Sequence, residues 1–273
     1  MSQYNQSNAR EAVSREQPLA TVEDSAMVEE RRRLLVERVN DSGRVVASQE
    51  ASRFGVSDDT IRRDLRFLAS IGLVQRVRGG ALPVAEVPAP YRERIAEVSG
   101  ESAVLALRAA KYLSDLGGVV VLDGGSTNLL VAEALEPSAA MTIVTSSPGI
   151  GAAATDRGIQ TLMLGGVVDP TLGAAVDATA TLALAGVHAD RVLLGACAVH
   201  PDAGVSTTRA DEVEFKRAVV KAGGEVIVVA TGDKLMIAAP YAVADRDALD
   251  LLIVPPDRNM DAFMNMGVEV LHA

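Results

Sequence analysis

Arg62, Arg63 and Arg66 lie within five positions of one another, directly behind Ser57, Asp58, Asp59 and Thr60. A guanidinium fork can bond a guanine edge in the major groove or hold phosphate oxygens in a bidentate pair. Ser57 can cap a helix by accepting from a free first-turn amide, and Asp58 and Asp59 suit the positive end of the helix dipole. On a helix turning about 100° per residue, Ile61, Leu65 and Leu68 share one stripe. Asp59, Arg63, Arg66 and Ser70 take the opposite side, flanked by Thr60 and Arg62. The plain alternative is a solvated face on which Asp59 pairs with Arg63 one turn away.

The elements around this helix favour nucleic acid. Met27 to Asn40 is helical in pattern, with Leu35 and Val39 on one side and Gly43 as its stop. Ala47 to Phe54 reads as a second, short helix ended by Gly55. The arginine helix then runs to about Ser70, with Gly72 behind it. The stretch LVQRVRGGAL alternates and turns at Gly79-Gly80, a small hairpin that carries Arg76 and Arg78. Short helix, turn, capped arginine helix and hairpin make a winged helix-turn-helix, whose second helix enters the major groove. The residues expected at double-stranded DNA are Ser57, Asp59, Thr60, Arg62, Arg63, Arg66, Arg76 and Arg78.

Charge is partitioned accordingly. The whole chain carries a formal -10, yet residues 27–83 hold 11 Arg, no Lys and 8 acidic residues, a balance of +3. The rest holds 15 basic and 28 acidic residues, a balance of -13. An acidic total therefore does not exclude a nucleic-acid surface.

A second candidate chemistry lies in LDGGSTN, residues 122–128, where a strand turns into a helix. Amides of Gly124 and Gly125 can approach a ligand closely, and Ser126, Thr127 and Asn128 add donors at a helix start, where anions bind. Asp123 closes the strand. Two further strand ends, TSSP with Thr145 and Ser146, and LGG with Gly165 and Gly166, are expected to complete one crevice at the carboxyl edge of a sheet. Ordinary strand-to-helix turns also favour Gly and Ser, so the loops alone do not decide. No Lys follows the glycines and no GxGxxG occurs, so neither common nucleotide loop is present.

The elements that would hold these loops alternate. Helix at about 101–116 precedes strand 119–123, and helix 127–135 precedes strand 141–146. Helix 148–157 then leads to strand TLMLGG, and helix 176–187 to strand RVLLGA. Helix 210–222, strand EVIVVA and strand LLIVP complete the run. Such alternation means a parallel sheet covered on both faces. Hydrophobic residues make up 48% and aromatics only 3%, with no Trp, so Val, Leu, Ile and Ala must form the core. That composition suits buried parallel strands. The expected architecture is α/β: a winged helix-turn-helix over 27–83, a linker over 84–98 containing VPAP, and a Rossmann-like domain over 99–273. Residues 1–26 read as a mobile tail.

Cys197, the single cysteine, is expected to be a small buried hydrophobe. His188, His200 and His272 lack metal-ligand spacing, so neither metal nor cofactor is expected. The N-terminal stretch is polar and lacks a signal peptide, and no apolar run is long enough to cross a bilayer. A cytoplasmic protein without membrane partners is the expectation.

From Arg31 through GRVVASQEASRFGVSDDTIRRDLRFLASIGLVQRVRGGAL the chain resembles the DNA-binding domain of DeoR-type transcriptional regulators. Members carry Leu where Glu50 stands here and a bulkier residue at Ala47, which implies looser packing of the first helix of the pair. The resemblance extends to about residue 257 through Asp123, Gly125, Ser126 and Thr127; Thr145 and Ser146; Gly165 and Gly166; Glu212, Glu214 and Lys216; and Gly232, Asp233 and Lys234. It implies a sensor domain of the ribose-phosphate isomerase and CoA-transferase type, a phosphorylated sugar-type effector, and Lys234 as its cationic partner. It implies a repressor of a carbohydrate or related operon, acting as a homo-oligomer. Glu212, Glu214 and Lys216 are expected on a solvated helix face. An isomerase-like enzyme using Asp123, Asp190 or Asp233 is the alternative, although no matched acid–base pair is visible. A sensor acting through protein partners would leave the arginine helix unexplained.

Overall fold

The computed structural model describes residues 22–273. The tail expected over 1–26 lies outside the described residues up to position 21. From Val22 the chain is helical, so residues 22–26 belong to a helix and not to a tail. α1 (Val22–Ser42) is followed by β1 (Val45–Val46), α2 (Ala47–Phe54), α3 (Asp58–Ser70), β2 (Gln75–Val77) and β3 (Gly80–Leu82). β3 lies between β1 and β2, antiparallel to both. The short strand β1 escaped the sequence reading, because two residues carry no alternation. Leu35, Val39, Ala47, Ala51, Ile61, Leu65, Leu68, Val74 and Ala81 form the core of this module.

Two of its carboxylates are turned inward. Glu50 is buried, and its two oxygens accept from Arg38 Nε and Nη2 at 2.7 and 2.9 Å. Asp64, also buried, accepts from Arg31 Nε at 2.6 Å and Arg32 Nε at 2.8 Å. The looser α2 implied by Glu50 is thus not observed: a bidentate arginine fills the place of the missing aliphatic contact.

The second part continues with α4 (Tyr91–Ala96), α5 (Gly100–Leu116), β4 (Gly118–Leu122), α6 (Ser126–Ala134), β5 (Met141–Thr145), α7 (Pro148–Asp156) and β6 (Gln160–Met163). Next come β7 (Val168–Asp169), β8 (Ala174–Ala175), α8 (Ala178–Leu184), β9 (Ala189–Leu194), β10 (Ala198–His200) and β11 (Gly204–Thr207). The chain ends through α9 (Val213–Ala222), β12 (Gly223–Val229), β13 (Tyr241–Ala244), β14 (Leu251–Val254), α10 (Asp261–Met264) and β15 (Glu269–His272). Seven parallel strands form one sheet in the order β15-β14-β12-β9-β4-β5-β6. α5, α6 and α7 bury one of its faces, and α8, α9 and α10 the other. The order reverses between β4 and β9, so their carboxyl ends part and leave a crevice.

Two features were not expected. β10, β11 and β13 form a small antiparallel sheet beside the main one. The stretch read as an extended linker is docked: Val84 bridges Ala238, Ala85 N donates to Ala238 O at 3.0 Å, and α4 seats the buried Tyr91 ring against Gly173. A Cβ on Gly173 would fall 2.3 Å from that ring. Arg44 of the N-terminal module also pairs with Asp202 at the β10–β11 turn.

Glu50→Leu is expected to leave stability unchanged or to raise it, because it exchanges a buried ion pair for an apolar contact. Arg38→Ala is expected to cost about 2–3 kcal/mol, below the full buried-pair value because Arg38 is a third exposed and Arg53 stays near. Urea unfolding of both variants checks the contrast. Equal losses in the two would show that the ion pair is net stabilising and that an apolar contact does not replace it.

Candidate functional site

The arginine helix presents two chemically opposed sides. Ile61, Leu65 and Leu68 are buried, whereas Arg62, Arg63 and Arg66 are exposed. Ser57 caps α3 by accepting from Thr60 N at 3.1 Å. Asp58 and Asp59 accept from Arg62 Nε at 2.7 Å and Arg63 Nη2 at 3.0 Å, one turn on. Such exposed pairs are worth about 0.3–0.5 kcal/mol. They orient the guanidinium groups yet yield easily to a nucleic-acid contact worth about 1–3 kcal/mol. Arg76 and Arg78 are exposed on the β2–β3 hairpin. All eight residues singled out for DNA therefore lie on α3, its cap and the wing.

The second site is a cavity of about 170 Å³ at the reversal of strand order. It is lined by Asp123, Gly124, Gly125, Ser126, Thr127, Asn128 and Lys234, all expected, and by Arg94, Gly195, Cys197, Thr208, Arg209, Glu212 and Lys216, which were not. A larger space of about 780 Å³ shares Arg94, Ser126, Thr127, Cys197 and Lys234 with it.

Lys216 organises the floor. Its Nζ donates to Asp123 Oδ2 at 2.6 Å and to Gly195 O at 2.8 Å, and lies 3.3 Å from Glu212 Oε2. Asp123 also accepts from Gly124 N at 2.7 Å and Gly195 N at 2.9 Å. Burial alone would lower the Lys216 pKa, but the Asp123 and Glu212 carboxylates outweigh it and hold the ammonium above the ordinary lysine range. Gly195 is required here, since a Cβ on it would meet Gly124 O at 2.5 Å. The solvated face expected for Glu212 and Lys216 is corrected: both are buried, and only Glu214 is exposed, paired with Arg217. A signal was present, since Lys216 falls on the α9 stripe with Val213 and Val219, one turn from Glu212.

The other polar groups differ in role. Asn128 was expected to offer a donor, but its Nδ2 donates to Asp123 O at 2.9 Å and Leu193 O at 3.1 Å, tying the ends of β4 and β9. The amino end of α6 carries no side-chain cap and opens on the cavity through Gly125 and Ser126. Arg209 is held by Asp169 at 2.7 Å and by Asp211. The Lys234 ammonium makes no ion pair or hydrogen bond among the described residues, while its backbone N donates to Thr231 O at 3.0 Å. Burial pushes its ammonium below the ordinary lysine value; Arg94 and Lys216 push the same way, and Asp233 opposes them. Cys197 faces the cavity and is not a core residue, with Sγ 3.6 Å from Thr207 Oγ1.

Thr145, Ser146, Gly165 and Gly166 do not line the cavity, which corrects the expectation of one three-loop crevice. The β7–β8 segment lies between. Ala175 N donates to Ser146 O at 3.1 Å, and Ser147 Oγ donates to Gly173 O at 2.8 Å. Asp177 accepts from Val167 N at 2.8 Å and folds the chain over Gly166. Asp190 sits at the amino end of β9, away from the cavity, where it accepts from Val119 N at 2.8 Å.

A capped arginine helix with a wing, joined to a doubly covered parallel sheet holding a polar cavity at its switch point, defines a DNA-binding regulator with a sensing domain. Residues 31–86 match the DeoR-like helix-turn-helix domain and residues 99–255 the DeoR C terminal sensor domain, so the chain belongs to the DeoR family of transcriptional regulators. It is 32% identical over 244 residues to the HTH-type transcriptional regulator GlpR of Haloferax volcanii, covering 88% of this chain and 94% of that one. The HTH-type transcriptional repressor GlcR of Bacillus subtilis is 28% identical over 89% of this chain and 95% of its own. The glycerol-3-phosphate regulon repressor of Escherichia coli is 27% identical over 73% of this chain and 80% of its own. These relatives are named as regulators and repressors, not as enzymes. A ribose 5 phosphate isomerase A from Neisseria gonorrhoeae overlays 49% of this chain and 52% of its own at a TM-score of 0.36 and 16% identity. Among the described residues no helix is long and apolar enough to cross a membrane.

Lys216→Met is expected to destabilise the α/β domain by about 3–5 kcal/mol, because Asp123 and Glu212 are left buried without their counter-charge. Guanidinium unfolding measures the loss, and adding Asp123→Asn should restore part of it. An unchanged midpoint in the single variant would mean that the ammonium holds nothing together.

Proposed function

We propose that this regulator is a repressor whose hold on its operator is set by a small phosphorylated metabolite in the cavity. The observation that carries the DNA half is the exposure of Arg62, Arg63 and Arg66 on a helix whose other side is fully buried. One such helix reads one half-site, so a homo-oligomer placing two of them on a pseudo-palindrome fits the reading. Acting on chromosomal DNA, the protein would work in the cytoplasm.

The metabolite half rests on charge and on the α6 terminus. Asp123 and Glu212 are spent on Lys216, and Arg209 on Asp169 and Asp211. The cavity lining carries four cations, Arg94, Arg209, Lys216 and Lys234, against the two acids Asp123 and Glu212, and of these cations Arg94 and Lys234 make no side-chain ion pair among the described residues; beside a helix amino end, such an arrangement receives phosphate. Ser126, Thr127 and Thr208 supply hydroxyls for a polyol. The E. coli relative is named for glycerol 3-phosphate, which agrees with a small phosphorylated polyol or sugar. The metabolite moves the DNA equilibrium only by the difference in its affinity for the two arrangements of the protein.

The isomerase alternative has less support. A base must be free to take a proton. Asp123 is locked by an ammonium and two amides, Asp190 lies at the wrong end of its strand, and Asp233 is exposed at the mouth.

Operators can be found by sequencing genomic fragments that the purified protein retains. On such a fragment, Arg62→Ala/Arg63→Ala should bind at least tenfold more weakly, since each lost contact is worth about 1–3 kcal/mol. The logarithmic salt slope should also fall in size if the pair contacts phosphates. Unchanged affinity and slope, with the sensor domain still folded, would remove α3 from the DNA surface. Titration calorimetry against glycerol 3-phosphate, glucose 6-phosphate, fructose 1-phosphate and inorganic phosphate tests the cavity. Lys234→Ala should abolish whatever binding is seen.

A further inference from the structure

Arg94 stands apart from the other cavity cations because of the segment that carries it. It lies on α4, within the stretch that joins the wing strand β3 to the sensor domain. Its Nε is buried and has no hydrogen-bond partner. Its guanidinium carbon lies 5.9 Å from the Tyr91 ring centre, which steers the group without neutralising it. Val87, Pro88 and Ala89 of the same segment also line the cavity.

That segment has little slack. Ala85 is paired to Ala238 at one end, and Tyr91 N donates to Thr171 O at 2.9 Å at the other. Only Pro83 and Val84 separate Ala85 from Leu82, the last residue of β3. Pro88 and Pro90 stiffen the stretch between the two anchors. A displacement of α4 therefore bears, with no flexible spacer to absorb it, on the pairing of Pro83 and Ala85 with Ala238 that seats the root of the wing. Lys234 faces the same space from the turn after β12, so one anionic group could be shared by both cations.

We propose that the anionic group of the cavity's occupant bridges Arg94 of the connecting segment and Lys234 of the sensor domain, so that occupancy fixes the position of the segment leading to the wing. This rests on the reading of the cavity as a phosphate-type site, and it adds the residue that passes occupancy to the DNA-binding module. An occupant held by Lys234 and the α6 terminus alone would bind without moving α3. Arg94 makes binding and reporting one event.

The test uses the full chain, a retained operator fragment, and glycerol 3-phosphate with inorganic phosphate as probes. In the wild type, operator affinity with and without saturating probe gives a coupling ratio. Arg94→Ala and Arg94→Gln should keep the operator affinity of the unliganded protein, bind the probe at least tenfold more weakly, and show a ratio near one at saturation. Slowed hydrogen exchange at residues 85–97 on probe addition should occur in the wild type and vanish in both variants. Arg94→Gln guards against a folding defect in the alanine variant. Wild-type probe affinity in the Arg94 variants, with binding lost in Lys234→Ala, would keep the cavity reading and overturn this one. Weaker binding with full coupling at saturation would also overturn it. A wild type that binds neither probe would defeat both.

Discussion

The α/β domain depends on a buried ammonium. Lys216 joins three pieces of chain that share no sequence neighbourhood: the end of β4 through Asp123, the end of β9 through Gly195, and the start of α9 through Glu212. A lone charge at that depth would cost several kcal/mol, and two carboxylates close by make its presence tolerable. This cluster lines the cavity at the switch point, and Asn128 also ties the two strand ends through Asp123 O and Leu193 O.

From that cluster follows the character of the cavity. Its two lining acids both contact Lys216, while Arg94 and Lys234 line it without a side-chain ion pair among the described residues, so lining cations outnumber lining acids. The amides at the start of α6 add to the same sign. Acidic composition in the chain at large and a cation-lined cavity within it are compatible, because what a ligand meets is the local remainder after internal pairing.

The same division of labour governs the N-terminal module. Arg31, Arg32 and Arg38 are turned inward on Asp64 and Glu50, and act as structural ties between α1 and the helix pair. Arg32 also lies 3.9 Å over the Phe67 ring, adding a cation–π contact to the α1–α3 seam. Arg62, Arg63, Arg66, Arg76 and Arg78 point outward. The excess of arginine over lysine suits both tasks, since a planar fork serves a buried carboxylate as well as a phosphate or a guanine edge.

Much of this was legible in the order of residues. The Ser57 cap, the stripe of Ile61, Leu65 and Leu68, the arginine face and the Gly-Gly hairpin are properties of contiguous stretches, because helix and strand periods act over a few residues. The alternation of helices and strands likewise foretold a parallel sheet, and the Asp123 to Asn128 loop was placed correctly at its edge. What the sequence left open were the partners of charges. Lys216 finds Asp123 across 93 positions, and Arg31 finds Asp64 across 33. The reversal in the order β15-β14-β12-β9-β4-β5-β6 is what brings the first of these pairs together. The β7–β8 segment removed Thr145, Ser146, Gly165 and Gly166 from the cavity, and the docked connecting segment brought Arg94 into it. Local periodicity determines which elements form. Whether a charged side chain faces water or another charge is decided by packing, because the cost of burying it depends on a counter-charge that only the assembled fold supplies.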